Sequence, residues 1–203
     1  ALWVAAAVAL GASGIATAST VDLVLSPSSQ TVTLGSTVEV DVFAVSADAT
    51  PDEISVIEAI LDWDPGVLTL TGNTDISAGY SWLSSGFPIA GDFGLNASFG
   101  DGDAFYVAQS QLFPPSASAP SAPGLLVTTL LFTADALSSG TTVGIPTTDP
   151  GSGADTSVIG DTPNFNIFGL SSDARIVVIP EPASLGLLAW GGIVLLTARR
   201  RTA

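Results

Sequence analysis

Carboxylates are the only side chains in this sequence equipped for general acid–base chemistry or for holding a metal ion, because its 203 residues include no histidine and no cysteine. The Ser-His-Asp triad, imidazole ligation and thiolate sites are therefore excluded. Asp62 and Asp64 would share one face of a strand, and glycoside hydrolysis needs two acids facing each other across roughly 5 to 9 Å. Asp64, however, precedes Pro65 and Gly66, a turn sequence in which an aspartate accepts backbone hydrogen bonds. Asp101 and Asp103, in Gly100-Asp101-Gly102-Asp103, offer hard oxygen ligands of the kind Ca²⁺ takes. That ion wants roughly 6 to 8 oxygens, and the spaced acids and distal Glu of an EF-hand loop are missing, so a hairpin turn is the alternative. Tyr80 and Trp82, in a Gly- and Ser-rich stretch, form a candidate platform for stacking on sugar rings; otherwise they cap one end of the core.

Charge is unevenly placed. The net charge is −15, yet three of the four basic residues are Arg199, Arg200 and Arg201, so residues 20–179 carry every acid but Glu181 against Arg175 alone. Such a surface repels phosphate backbones and supplies no cationic track, which excludes nucleic acid as a partner. With no cysteine, a folded domain must be held by its apolar core rather than by disulfides.

Both ends of the chain read as targeting segments. Residues 1–18 are an apolar run decaying into Ala16-Thr17-Ala18, the small-x-small pattern cut by signal peptidase, and cleavage is expected after Ala18. Residues 180–203 begin with Pro180-Glu181-Pro182, continue through the uncharged run 183–198 and end near the three arginines. As a helix, 183–198 rises about 24 Å against a hydrocarbon core of roughly 30 Å, so it spans marginally, as suits a transient anchor. The arginines belong on the cytoplasmic side, leaving the acidic domain outside. The two prolines keep the helix from extending upstream. These three elements in this order resemble the PEP-CTERM sorting signal. The resemblance implies export across the inner membrane, recognition of Pro180, Glu181 and Pro182 by an exosortase-type processing enzyme, and removal of the tail at the cell surface.

The elements that would position the acids and aromatics lie in 19–179. Short β-like runs alternate with Gly, Pro, Ser, Asp and Asn, and no amphipathic helix of useful length appears, so a single all-β sandwich is expected. Val38, Val40, Val42 and Ala44 alternate with Glu39, Asp41 and Phe43. Ile57, Ala59, Leu61 and Trp63 alternate with Glu58 and Asp62, and the chain then turns at Asp64-Pro65-Gly66. A strand with Phe93, Leu95, Ala97 and Phe99 inward is expected to join 104–107 through the GDGD hairpin. Residues 112–124 read as a long surface loop because of their Pro, Ser and Ala content. The sheet resumes with Leu126, Thr128, Leu130, Phe132 and Ala134, then Gly144-Ile145, 165–168 and 174–179.

Three stretches resemble the cohesin domains: 32–40, the corner Leu61-Asp62-Trp63-Asp64-Pro65-Gly66-Val67-Leu68, and 125–134. The resemblance implies a jelly-roll-like sandwich of about nine strands that binds without catalysing. The expected function is an exported surface or matrix protein binding polysaccharide or a protein partner, with no cofactor except the Ca²⁺ considered above. The alternatives are a structural, cation-binding matrix component and, least favoured, a carboxylate hydrolase.

Overall fold

The computed structural model describes residues 20–74, 79–111, 116–161 and 165–181. The expected signal peptide over 1–18 and the run 183–198, with Pro182, Arg199, Arg200 and Arg201, lie outside them. The strands in chain order are Val21–Ser26 (β1), Ser29–Thr33 (β2), Thr37–Ser46 (β3), Asp52–Trp63 (β4), Leu68–Thr74 (β5), Ser84–Gly86 (β6) and Asp103–Gln109 (β7). They continue as Ala117–Ala119 (β8), Leu125–Ala134 (β9), Ser138–Gly144 (β10), Ser157–Gly160 (β11), Phe168–Ser172 (β12) and Ala174–Ile179 (β13). Among the described residues the fold is all-β but for one 3₁₀ turn, as the alternation predicts, with more and shorter strands than the nine or so expected.

A five-stranded sheet ordered β12-β1-β3-β9-β5 is packed on an eight-stranded one running β2-β13-β10-β4-β7-β6, with β8 and β11 also paired to β4. The first strand breaks at Pro27, which has no N–H to give a ladder, so that β1 and β2 join different sheets. β1 pairs in parallel with β12, and β2 with β13. The core between the sheets is built as the alternation requires. Val38, Val40, Val42 and Ala44 of β3 and Ile57, Ala59, Leu61 and Trp63 of β4 are all buried. Trp63 sets its ring edge-on to Phe132, with centroids 5.5 Å apart. The corner after it closes as expected, Asp64 Oδ1 accepting from Gly66 N at 2.9 Å and Asp64 O from Val67 N and Leu68 N.

Three expectations are corrected. Residues 93–99 are no strand. Gly91 and Gly94 take positive φ, as does Phe93 at 58°, and Leu95–Ala97 form a single 3₁₀ turn. The stretch 112–124 is no plain loop, because Ala117 and Ala119 are fully buried where β8 pairs with Asp52–Ile54 of β4. Small side chains let that backbone approach closely, and they leave no hydrophobic signal in the sequence. In β9 a bulge opposite Val42 and Phe43 shifts the alternation, so Leu125 and Val127 face the core and Leu126 does not.

Candidate binding face

The outer face of the eight-stranded sheet, where β4 and β7 run side by side, is covered at two places and open between them. Ile60 and Phe105 are cross-strand partners on this face and both are buried. They are roofed by Leu95 and Ala154, which come from two separate loops. The first loop is held by Asn96. Its Oδ1 accepts from Phe105 N at 2.8 Å, and its Nδ2 donates to Phe105 O at 2.8 Å and to Pro88 O at 2.6 Å. A side-chain amide thus supplies the two hydrogen bonds that a neighbouring strand would give. The buried Asp92 carboxylate fixes the same loop by accepting from Gly94 N and Asn96 N. The second loop is pinned by the buried Thr156 hydroxyl, which accepts from Ile60 N at 3.1 Å and donates to Pro146 O at 2.6 Å.

Between the first loop and β6 lies a cavity of about 460 Å³ lined by Glu58, Ser84, Phe87, Phe105, Val107 and Gln109, among others. Among the described residues Glu58 is its one carboxylate, and Glu58 Oε2 accepts from Ser157 Oγ at 2.8 Å. The same loop exposes Ile89 at 81% and Phe93 at 60% of their surface. Phe93 holds its ring edge-on to Phe105 from a left-handed backbone conformation that only glycine adopts freely.

The structure gathers acids that stand far apart in sequence. Asp62, Asp101, Asp103 and Asp149 line one cavity of about 270 Å³ at the end of β4 and β7. Gly102 makes the turn between Asp101 and Asp103 possible: its φ is 99°, and a Cβ there would come within 2.6 Å of Trp63 O. Partial burial, and then the charges of Asp101, Asp149 and Asp62, push the Asp103 carboxyl above its ordinary range. Asp149 is shifted the opposite way by hydrogen bonds from its own turn, Ser152 foremost and then Gly151; Ser152 N lies 2.7 Å from Oδ2. Among the described residues no three of these side chains are placed to hold a metal ion. Asp64 stays in its turn and lines a neighbouring cavity with Asp62 and Asp173.

The two aromatic candidates sit elsewhere. Tyr80 and Trp82 pack edge-on to each other at 5.0 Å and lie half-buried against the main core. The Tyr80 hydroxyl accepts from Gln111 N at 2.8 Å, and Trp82 Nε1 donates to Val127 O at 3.1 Å. Pro180 and Glu181 follow β13 directly and are exposed. Among the described residues no helix is long and apolar enough to cross a membrane.

Solved structures share this arrangement of sheets. The sixth cohesin of scaffoldin B from Acetivibrio cellulolyticus, in complex with a Cel5 dockerin mutant, aligns with a TM-score of 0.53 at 15% identity, covering 79% of this chain and 99% of that one. The sandwich is cohesin-like. The seventh ScaB type I cohesin from Pseudobacteroides cellulosolvens gives 0.51 at 11% identity, over 80% and 94% of the two chains. The cohesin module of a Clostridium perfringens family 33 glycoside hydrolase gives 0.50 at 14%, over 80% and 96%. No protein-family model matches the sequence, and no curated protein does. At these identities the likeness concerns the fold.

Sequence reasoning found Asp62, Asp101 and Asp103 but not Asp149, although Asp149-Pro150-Gly151 repeats the turn grammar of Asp64-Pro65-Gly66. It missed Ile89, Phe93 and Asn96 as parts of a surface, because 93–99 read as an inward-facing strand.

Proposed function

We propose that this chain is an exported surface protein whose cohesin-like sandwich binds a protein partner without catalysis. In this reading an exosortase-type enzyme processes its tail at Pro180-Glu181-Pro182. The observation that carries the binding role is the open cavity on the outer face of β4, β6 and β7, beside a loop that exposes Ile89 and Phe93. Exposed apolar side chains beside a cavity of mixed polar and apolar lining are what a protein interface presents before it is covered. Among the described residues Glu58 is the cavity's one carboxylate, and it is already hydrogen-bonded to Ser157, which supports binding over hydrolysis. Cohesins of the same fold have been solved with dockerins, which supports a protein as the kind of partner. The PEP-type tail supports export and delivery to the cell surface.

The test is affinity capture from the producing cells with wild-type protein and with the Ile89→Asp, Phe93→Asp double variant, alongside a glycan array. A protein retained by wild type and lost by the folded variant supports the reading. Equal capture by both would place the partner elsewhere, and a strong glycan signal that depends on the same face would make polysaccharide the ligand.

A further inference from the structure

The tail leaves the domain at a place with its own surface chemistry. In the eight-stranded sheet β13 lies between β2 and β10. Ile179 pairs with Thr33, Val178 pairs with Ser138, and Leu34 N donates to Ile179 O at 2.9 Å. Leu34, Leu137 and Ile179 therefore stand at the same end of three adjacent strands, and they are 38%, 54% and 41% exposed. β4 pairs with β10 only at Val143 and Gly144, so this corner of the sheet projects past the end of β4. Thr20 accepts a hydrogen bond from Ala47 N at the opposite end, which also carries Asp48, Asp52 and Asp161.

Chain length says what covers the projecting corner. Even fully extended, the chain from Ile179 to Ala183 spans at most about 14 Å. The polar headgroup layer of one leaflet takes up about 5 to 7 Å of that. Once 183–198 is in the bilayer, the Ile179 end of the domain is thus held within about 9 Å of the headgroups. Arg175, the one base in 20–179, is on the adjoining surface. Its Nη2 donates to Ser139 O at 2.7 Å, and the guanidinium lies over Gly140, toward Leu137 rather than away from it. Asp135 is at the same end, where Val67 O accepts from Asp135 N, and Asp62, Asp64 and Asp173 line a cavity beside Thr141 and Thr142 of β10.

We propose that the corner formed by Leu34, Leu137 and Ile179 rests on the phospholipid surface, with the Arg175 guanidinium toward the headgroup phosphates, while the tail is inserted. The contact fixes the domain upright, with Thr20 pointing away from the membrane, and it presents Pro180-Glu181-Pro182 at the membrane surface. This inference rests on the reading of the tail as a membrane anchor.

The absence of native cysteine makes the test direct. Leu34→Cys, Leu137→Cys and, as a control on the exposed far loop, Ala49→Cys would each carry an environment-sensitive fluorophore. The full chain would be reconstituted into vesicles of phosphatidylethanolamine and phosphatidylglycerol and floated on a density gradient. The expected result is flotation with blue-shifted emission at positions 34 and 137 and quenching by lipid-borne nitroxide several-fold stronger there than at 49. Flotation with labels at 34 and 137 as water-exposed as the one at 49 overturns the contact and leaves the anchor standing. Failure to float overturns the anchor and the contact with it. A blue shift that disappears on dilution of protein at constant lipid overturns the proposal in favour of a second copy of the chain.

Discussion

Asp62 and Asp103 stand directly opposite each other in the β4–β7 register, two like charges on neighbouring strands of one sheet. Burial raises the proton affinity of Asp103, and the charges of Asp101, Asp149 and Asp62 raise it further. Like charges directly opposite weaken a sheet.

Asp103→Asn should therefore raise the urea midpoint at neutral pH. The sign follows from linkage: the folded protein binds the Asp103 proton more tightly than the unfolded chain does, so stability falls as pH rises from the ordinary 3.8 through the raised value and is level above it. The gain from Asp103→Asn should disappear below that ordinary value. Asp149 behaves oppositely. Its stabilising contribution is present above 3.8 and is lost as pH falls through its lowered value, so Asp149→Asn should lower the neutral-pH midpoint. Two variants shifting in the same direction at neutral pH would contradict the opposed environments described for these acids.

Asn96→Ala should cost about 2 to 3 kcal/mol, because it strips both main-chain groups of Phe105 of their partners under a buried roof. The readout specific to this geometry is amide exchange at Phe105, which should accelerate far more than exchange at Ala104 or Tyr106. An unchanged rate would mean that other contacts hold the loop in place.

Trp63→Ala should cost about 3 to 5 kcal/mol, given that the ring is buried against Phe132. Trp63→Phe should cost much less, about 1.5 kcal/mol or under, because Trp63 Nε1 is buried with no hydrogen-bond acceptor and its removal relieves an unmet polar group. Equal losses from the two substitutions, measured by urea unfolding, would show that the indole nitrogen is satisfied after all.

Glu181→Ala should leave the sandwich folded and block tail processing, because Glu181 lies beyond the last strand and is exposed. The mass of the mature C-terminus and membrane fractionation in a host with an exosortase decide this. Identical release of both forms would reduce the tail to a plain anchor.

How much of this was legible in the sequence depended on where each strand's second face went. β3 and β4 could be read because aliphatic residues alternate with charged ones, and the two-residue period assigns a core side without further help. Ile60 breaks that reading, since it lies on the outward face of β4 and is buried all the same. Its cover comes from loops centred on Asn96 and Thr156, far off in sequence, so no local pattern announces it. The same holds for the candidate face. Phe93 read as a core residue because aromatics in an alternating run usually are, but flanking glycines turn it outward. β8 escaped notice for the converse reason, since buried alanines at 117 and 119 look like the filler of a loop.

The parallel pairing of β2 with β13 also fixes an order in time. Thr31 and Val32 are among the first residues of the sandwich to be made, yet they find their partners only in Val177 and Val178, among the last. Leu25 N likewise waits for Ser172 Oγ, 147 residues later. If the chain is exported N-terminus first, as proposed, it must travel almost its whole length with β2, an edge strand paired to β13, unpaired. The sheet can close only when 174–179 emerges, which is also when the apolar run behind it reaches the bilayer. In that reading, completion of the fold and arrest of the tail coincide at the membrane, and a domain separated from its tail too early would be released unfinished.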